Sequence, residues 1–161
     1  MVQNQFYEVQ RIDTIWPIGI FALAIVSNWV LYFLLGHDEL SFFYVSMGSI
    51  VLICSFLLML RLYTKVNSGG IHYRFFPFHL SWKTIHWKDI KVAEMRKFRP
   101  LQEYGGYGLR YGKSGYAYIL SGKVGLQLVY KDQKKLLIGT STYHNMQENI
   151  ELYFPSLLKM D

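Results

Sequence analysis

Two uncharged apolar runs stand almost back to back near the start of the chain, residues 15–35 (IWPIGIFALAIVSNWVLYFLL) and residues 41–60 (SFFYVSMGSIVLICSFLLML). A helix needs about 20 such residues to cross a hydrocarbon core of about 30 Å. Both runs therefore predict transmembrane helices, joined into a hairpin through Gly36, His37, Asp38 and Glu39. A cleaved signal peptide competes for the first run, through the triplet Ala22-Leu23-Ala24. The triplet comes early and residues 25–35 stay apolar after it, whereas a signal peptide gives way to a polar mature start. The hairpin reading is kept.

Charge orients this hairpin. The connection holds no Lys or Arg, while Arg11 precedes the first run and Arg61 and Lys65 follow the second. The positive-inside rule then places both termini in the cytoplasm of a multi-pass inner-membrane protein. Trp16 and Tyr63 fall at the inner interface, and Tyr32, Phe42 and Tyr44 toward the outer one. Ser41, Gly48 and Ser55 recur every seven residues, opposite Gly19 and Ala22, which predicts close helix packing. Asn28 is expected to bond the neighbouring helix. No ionisable residue lies inside either run, which argues against a proton or ion pathway. The division is an N-terminal cytoplasmic segment 1–14, a transmembrane hairpin 15–61 and a cytoplasmic domain 62–161.

Charge is also split along the 161-residue chain. Residues 1–62 carry a net −2 and residues 63–161 a net +8. A basic domain beside a bilayer is drawn to anionic lipid, although juxtamembrane domains are commonly basic for no further reason. Cys54 is the one cysteine, so an intrachain disulfide and a cysteine-based metal site are excluded.

Beyond Tyr63 the apolar period becomes strand-like. Asn67-Ser68-Gly69-Gly70 signals a turn. Strands are predicted at 71–76, 78–85, 90–98, 109–111, 116–120, 124–130 and 135–139, with a loop over 99–108. Ser121-Gly122-Lys123 predicts a tight hairpin joining 116–120 to 124–130. Met146, Ile150, Tyr153, Phe154 and Leu157 share one helical face, capped from Thr142 or Asn145 and ended by Pro155. Its polar face is acidic, which favours packing on the sheets over lying on lipid. Strands at this spacing suggest a small barrel or sandwich.

About seven antiparallel strands closed by a C-terminal helix resemble the pleckstrin-homology-like (PH-like) barrel. The runs IHYRFFPF at 71–78, IHWKDI at 85–90, YGGYGLR at 104–110 and LIGT at 137–140 are similar to uncharacterised bacterial membrane proteins in which a helical hairpin carries such a domain. The Trp87-x-Asp89-Ile90 element resembles a strand entry common in them. The resemblance covers about residues 60–155 and implies an α+β membrane protein. It brings no activity, cofactor or ligand.

Several motifs invite chemistry. GYGLRYGKS at 106–114 imitates a phosphate-binding loop, but Tyr107 stands where that loop needs Gly, and a strand rather than a helix follows. His72, His79 and His86 recur every seven residues, yet no carboxylate accompanies them and zinc needs three or four converging ligands. No nucleophile elbow is present. No catalytic residue, metal site or cofactor site is assigned. The same glycine-rich loop gathers Arg99, Arg110 and Lys113 with Tyr104 and Tyr107, a candidate site for an anion or a partner. Arg96-Lys97-Phe98-Arg99 is a basic-aromatic run of a type nucleic-acid binders also use, but lipid or protein contact is preferred here. The reading is a membrane-anchored, non-enzymatic interaction or scaffold module. The alternatives are anionic lipid headgroup recognition by the basic loop, and a regulatory subunit of a membrane complex. Beyond the bilayer, the expected partners are anionic lipid, another protein or a second copy, with no nucleic acid.

Overall fold

The computed structural model describes residues 5–12, 15–35, 40–112, 114–153 and 155. They form two compact units, Met1–Arg11 with Arg61–Asp161, and Ile12–Leu60.

The second unit is a pair of helices, α1 (Ile15–Leu35) and α2 (Leu40–Met59). They form where the apolar runs predict them, but the transmembrane reading is corrected. Among the described residues no helix is long and apolar enough to cross a membrane. The inner-membrane location and the two-sided topology drawn from the charge flanks fall with that reading. Trp16, Phe42 and the 36–39 connection lie outside the described residues or side chains. Asn28 Nδ2 does bond across the pair, donating to Ser46 Oγ at 2.6 Å. The glycines do not bring the helices close: a methyl group added at Gly19 or Gly48 would meet nothing within 4 Å.

Among the described residues the first unit contains nine strands. Alternation builds its first sheet. In β1 (Phe6–Arg11), Phe6, Glu8 and Gln10 point inward while Tyr7, Val9 and Arg11 point outward. In β2 (Arg61–Asn67), Leu62, Thr64 and Val66 are buried and Tyr63 and Lys65 face out. In β3 (Gly70–Phe76), Ile71, Tyr73 and Phe75 are buried and His72 and Arg74 face out. β4 is short (Lys83–Ile85). The order is β1-β2-β3-β4, antiparallel throughout. Arg11 stands directly opposite Arg61, so the whole helical pair is inserted between two strands that pair edge to edge.

A 3-10 turn at Trp87–Asp89 leads to β5 (Ile90–Lys97). The short helix α3 (Pro100–Tyr104) follows, then β6 (Gly108–Gly112), β7 (Gly115–Ile119), β8 (Val124–Tyr130) and β9 (Lys135–Thr140). The second sheet has the order β5-β8-β9-β7-β6. This corrects the expectation of about seven antiparallel strands on two counts. The sheets hold nine strands among the described residues, and β7 pairs with β9 in parallel. The predicted hairpin at Ser121-Gly122-Lys123 does not form, because β9 lies between β7 and β8. The tight hairpin is β6–β7 instead, closed with Gly112 opposite Gly115. Gly115 has φ +90°, and a Cβ there would lie 2.2 Å from the Lys135 carbonyl oxygen.

Helix α4 (Tyr143–Tyr153) closes the unit against β1 and β2 through the fully buried Met146 and Ile150. Phe154 and Leu157 lie outside the described residues. The inner faces of the sheets supply the rest of the core, with Leu62, Val66, Ile71 and Phe75 from one and Leu126, Leu128, Leu136 and Ile138 from the other, while Leu137 is buried on the opposite face with Phe98, Tyr104, Ala117 and Ile119. Polar side chains tie β1 to the second sheet. The buried Glu8 carboxylate accepts from Thr140 Oγ1 at 2.6 Å and from the Ser141 N–H at 2.7 Å. Gln10 Nε2 donates to the Gly139 carbonyl.

Candidate binding surface

Period-2 alternation lays one set of side chains across the outward face of the first sheet. Strand register aligns them in rows. Tyr7, Lys65, His72 and Thr84 make one row; Val9, Tyr63 and Arg74 the next; Arg11, Arg61 and Phe76 the third. Trp82, just before β4, joins the middle of the face. Four guaranteed cations share it with four large aromatic rings, Tyr7, Tyr63, Phe76 and Trp82, and none of these positions is an Asp or Glu.

Cations and rings are interleaved. Lys65 Nζ lies 4.5 Å from the Trp82 ring centre and 5.1 Å from that of Tyr7. The Arg74 guanidinium lies 4.5 Å from Tyr63 and 5.3 Å from Trp82. Tyr63 meets Trp82 edge-on at 6.2 Å. Each cation–π contact is worth about 0.5–1 kcal/mol at an exposed site. Together they hold two long side chains in place at little further entropic cost.

The electrostatics of the face are visible in its own titratable groups. A hydrogen bond from Arg61, with Arg61 and Arg74 charge and a bond from Arg74, holds the Tyr63 phenol below its ordinary value against a smaller opposing effect of burial. His72 is likewise lowered, first by burial and then by the His86 and Lys65 charges. Both shifts report positive potential or restricted solvation. The His72 ring sits between Thr84 Oγ1 at 2.8 Å and Asn67 Oδ1 at 3.1 Å. Because Asn67 Oδ1 only accepts, Nε2 carries the proton and Nδ1 accepts from the Thr84 hydroxyl. The two ion pairs among the described residues, Arg96–Glu103 and Lys134–Asp132, belong to other elements.

The residues predicted for the glycine-rich loop do not converge. Tyr104 is buried, edge-on to Phe98, and its hydroxyl accepts from Arg96 Nη2 at 3.2 Å. Burial pushes its phenol up. Arg99 begins α3, where its N–H is capped by Glu103 Oε1 at 2.7 Å and its Nη1 donates to Gln102 Oε1 at 3.0 Å. Arg110 and Tyr107 are exposed and adjacent, with Arg110 Nε donating to the Tyr107 carbonyl at 2.8 Å. No hydrogen bond joins Arg99 to Arg110 among the described residues, and Lys113 lies outside them. The charged centre of this region is Arg96, held between Glu103 at 2.8 Å and Gln127 at 3.1 Å. That is an internal network, with its cation already neutralised.

The histidine spacing likewise separates in space. His72 is on β3, His79 follows it in the turn, and His86 precedes the 3-10 turn. Among the described residues no group of three His, Cys, Asp or Glu side chains is placed to hold a metal ion. The phosphate-loop look-alike is the β6–β7 hairpin, with no helix N-terminus behind its Ser114.

Sequence reasoning missed the sheet face because Tyr7 and Arg11 lie some fifty residues from Arg61, Tyr63 and Lys65. The available signal was alternation, Phe-Tyr-Glu-Val-Gln-Arg at 6–11 and Leu-Tyr-Thr-Lys-Val at 62–66. No family model matches the chain, and neither a curated protein nor a solved structure is found to match it.

Proposed function

We propose that the protein is a non-enzymatic interaction module that binds an anionic partner on the outward face of its first sheet. One observation carries this reading: Arg11, Arg61, Lys65 and Arg74 are set in register on one face with no carboxylate among them. A charge cluster of one sign without internal neutralisation raises the local concentration of oppositely charged partners and speeds their encounter. The guanidinium groups of Arg61 and Arg74 present forked donors suited to phosphate, sulfate or carboxylate oxygens. The PH-like resemblance is compatible with a binding role and adds no ligand to it.

Retention on immobilised heparin, a generic polyanion, tests the reading. The full chain should be retained at low salt and released as salt rises, because surface attraction is screened beyond about 10 Å at 0.1 M. K65E/R74E should elute well before the wild type, while R110E, in the loop, should stay close to it. Loss of retention in R110E alone would move the site to the loop. No retention at low salt would reject the anionic-partner reading.

A further inference from the structure

We propose that the anionic partner of this face is a lipid surface carrying phosphate headgroups, with the cations of the first sheet as its contacts. The inference rests on the reading just given and narrows its partner to one chemistry.

The ring arrangement argues for it over a nucleic acid. Single-stranded nucleic acids gain affinity by stacking bases on free aromatic faces. On this sheet the rings of Tyr7, Tyr63 and Trp82 are engaged by Lys65 and Arg74 at 4.5–5.3 Å. The groups left to meet a partner are ammonium and guanidinium donors with the edges of Trp and Tyr rings. Donors of that kind match phosphate oxygens, and Trp and Tyr rings favour a boundary that is apolar on one side and wet on the other.

Flotation of the full chain with vesicles tests this. Phosphatidylglycerol mixed into phosphatidylcholine should bind the wild type at least roughly ten-fold better than phosphatidylcholine alone at low salt, as expected for several cations near an anionic surface. K65E/R74E should lose that preference while keeping whatever affinity it has for phosphatidylcholine; K65Q/R74Q, milder and with unchanged circular dichroism, should lose part of it. Equal wild-type binding to both vesicles, with retention on heparin intact, would overturn the lipid assignment and leave the anionic-partner reading standing. Tighter binding to a single-stranded oligothymidine than to the anionic vesicles would overturn it in favour of nucleic acid. Failure on both heparin and vesicles would end both proposals.

Discussion

Tyr63 shows how a single residue reports on its surroundings. Its phenol titrates below its ordinary 10.0 because Arg61 and Arg74 stabilise the phenolate. An acid with a depressed folded value favours the fold above the unfolded value and loses that contribution as pH falls through the folded one. The buried phenols behave oppositely. Burial pushes Tyr130 up to about 12 and raises Tyr73 and Tyr118 as well. Their contribution is intact below the ordinary phenol range and is lost as pH rises through the raised values. Alkaline titration followed by phenolate absorbance should therefore show one early phenol that disappears in Y63F and moves up in R74Q. An unchanged early titration in Y63F would assign the positive potential elsewhere. Glycines give a second test at this scale. Gly115→Ala forces a methyl into the Lys135 carbonyl at 2.2 Å, whereas at Gly105, φ +71°, nothing lies within 4 Å. In urea denaturation G105A should cost about 1 kcal/mol of strain and G115A clearly more; equal costs would contradict the β6–β7 geometry.

At the scale of elements, apolar runs bounded by turn residues and the one-faced helix were the legible segments, while the alternating strands β1 and β2 were missed. Strands at 90–98, 124–130 and 135–139 form within a residue of their predicted ends, and burial is unbroken over 125–128 and 136–140 rather than alternating. The helix carrying Met146 and Ile150 also forms. The 78–85 strand shrinks to Lys83–Ile85, since Pro77 begins a turn. The loop at 99–108 hides α3, with Pro100 at its first turn and Gly105 in the left-handed region at its end. Partner choice was not legible. A glycine turn between 116–120 and 124–130 looks like a hairpin, but local sequence says nothing of β9 inserting between them. Nor did β1 look like a strand of the domain, because its partner lies beyond two helices. Its tether is testable: E8A removes the acceptor of the Thr140 hydroxyl and the Ser141 N–H, and should cost about 1–3 kcal/mol by chemical denaturation. A loss within about 0.5 kcal/mol, the range of a surface change, would show that water replaces the carboxylate without cost.

For the whole molecule, the telling feature is that a helical pair interrupts a β-hairpin. Arg11 and Arg61 are directly opposed, so a two-residue Asn-Gly turn is geometrically sufficient to join them. The chain with residues 12–60 replaced by that turn should unfold cooperatively, whereas residues 62–161 alone lack β1 and should be markedly less stable. Equal stability of the two would mean that β1 is dispensable. The binding account makes its own demand at this scale, because the chain carries a formal net charge of +6 and diffuse attraction to anions is expected anyway. The most direct measurement is therefore a vesicle titration with two double variants of identical net charge, K65E/R74E on the sheet face and K123E/K131E at the exposed turn positions flanking β8. Phosphatidylglycerol binding should fall at least roughly ten-fold in the first pair and only slightly in the second; equal losses in both would contradict a defined binding face.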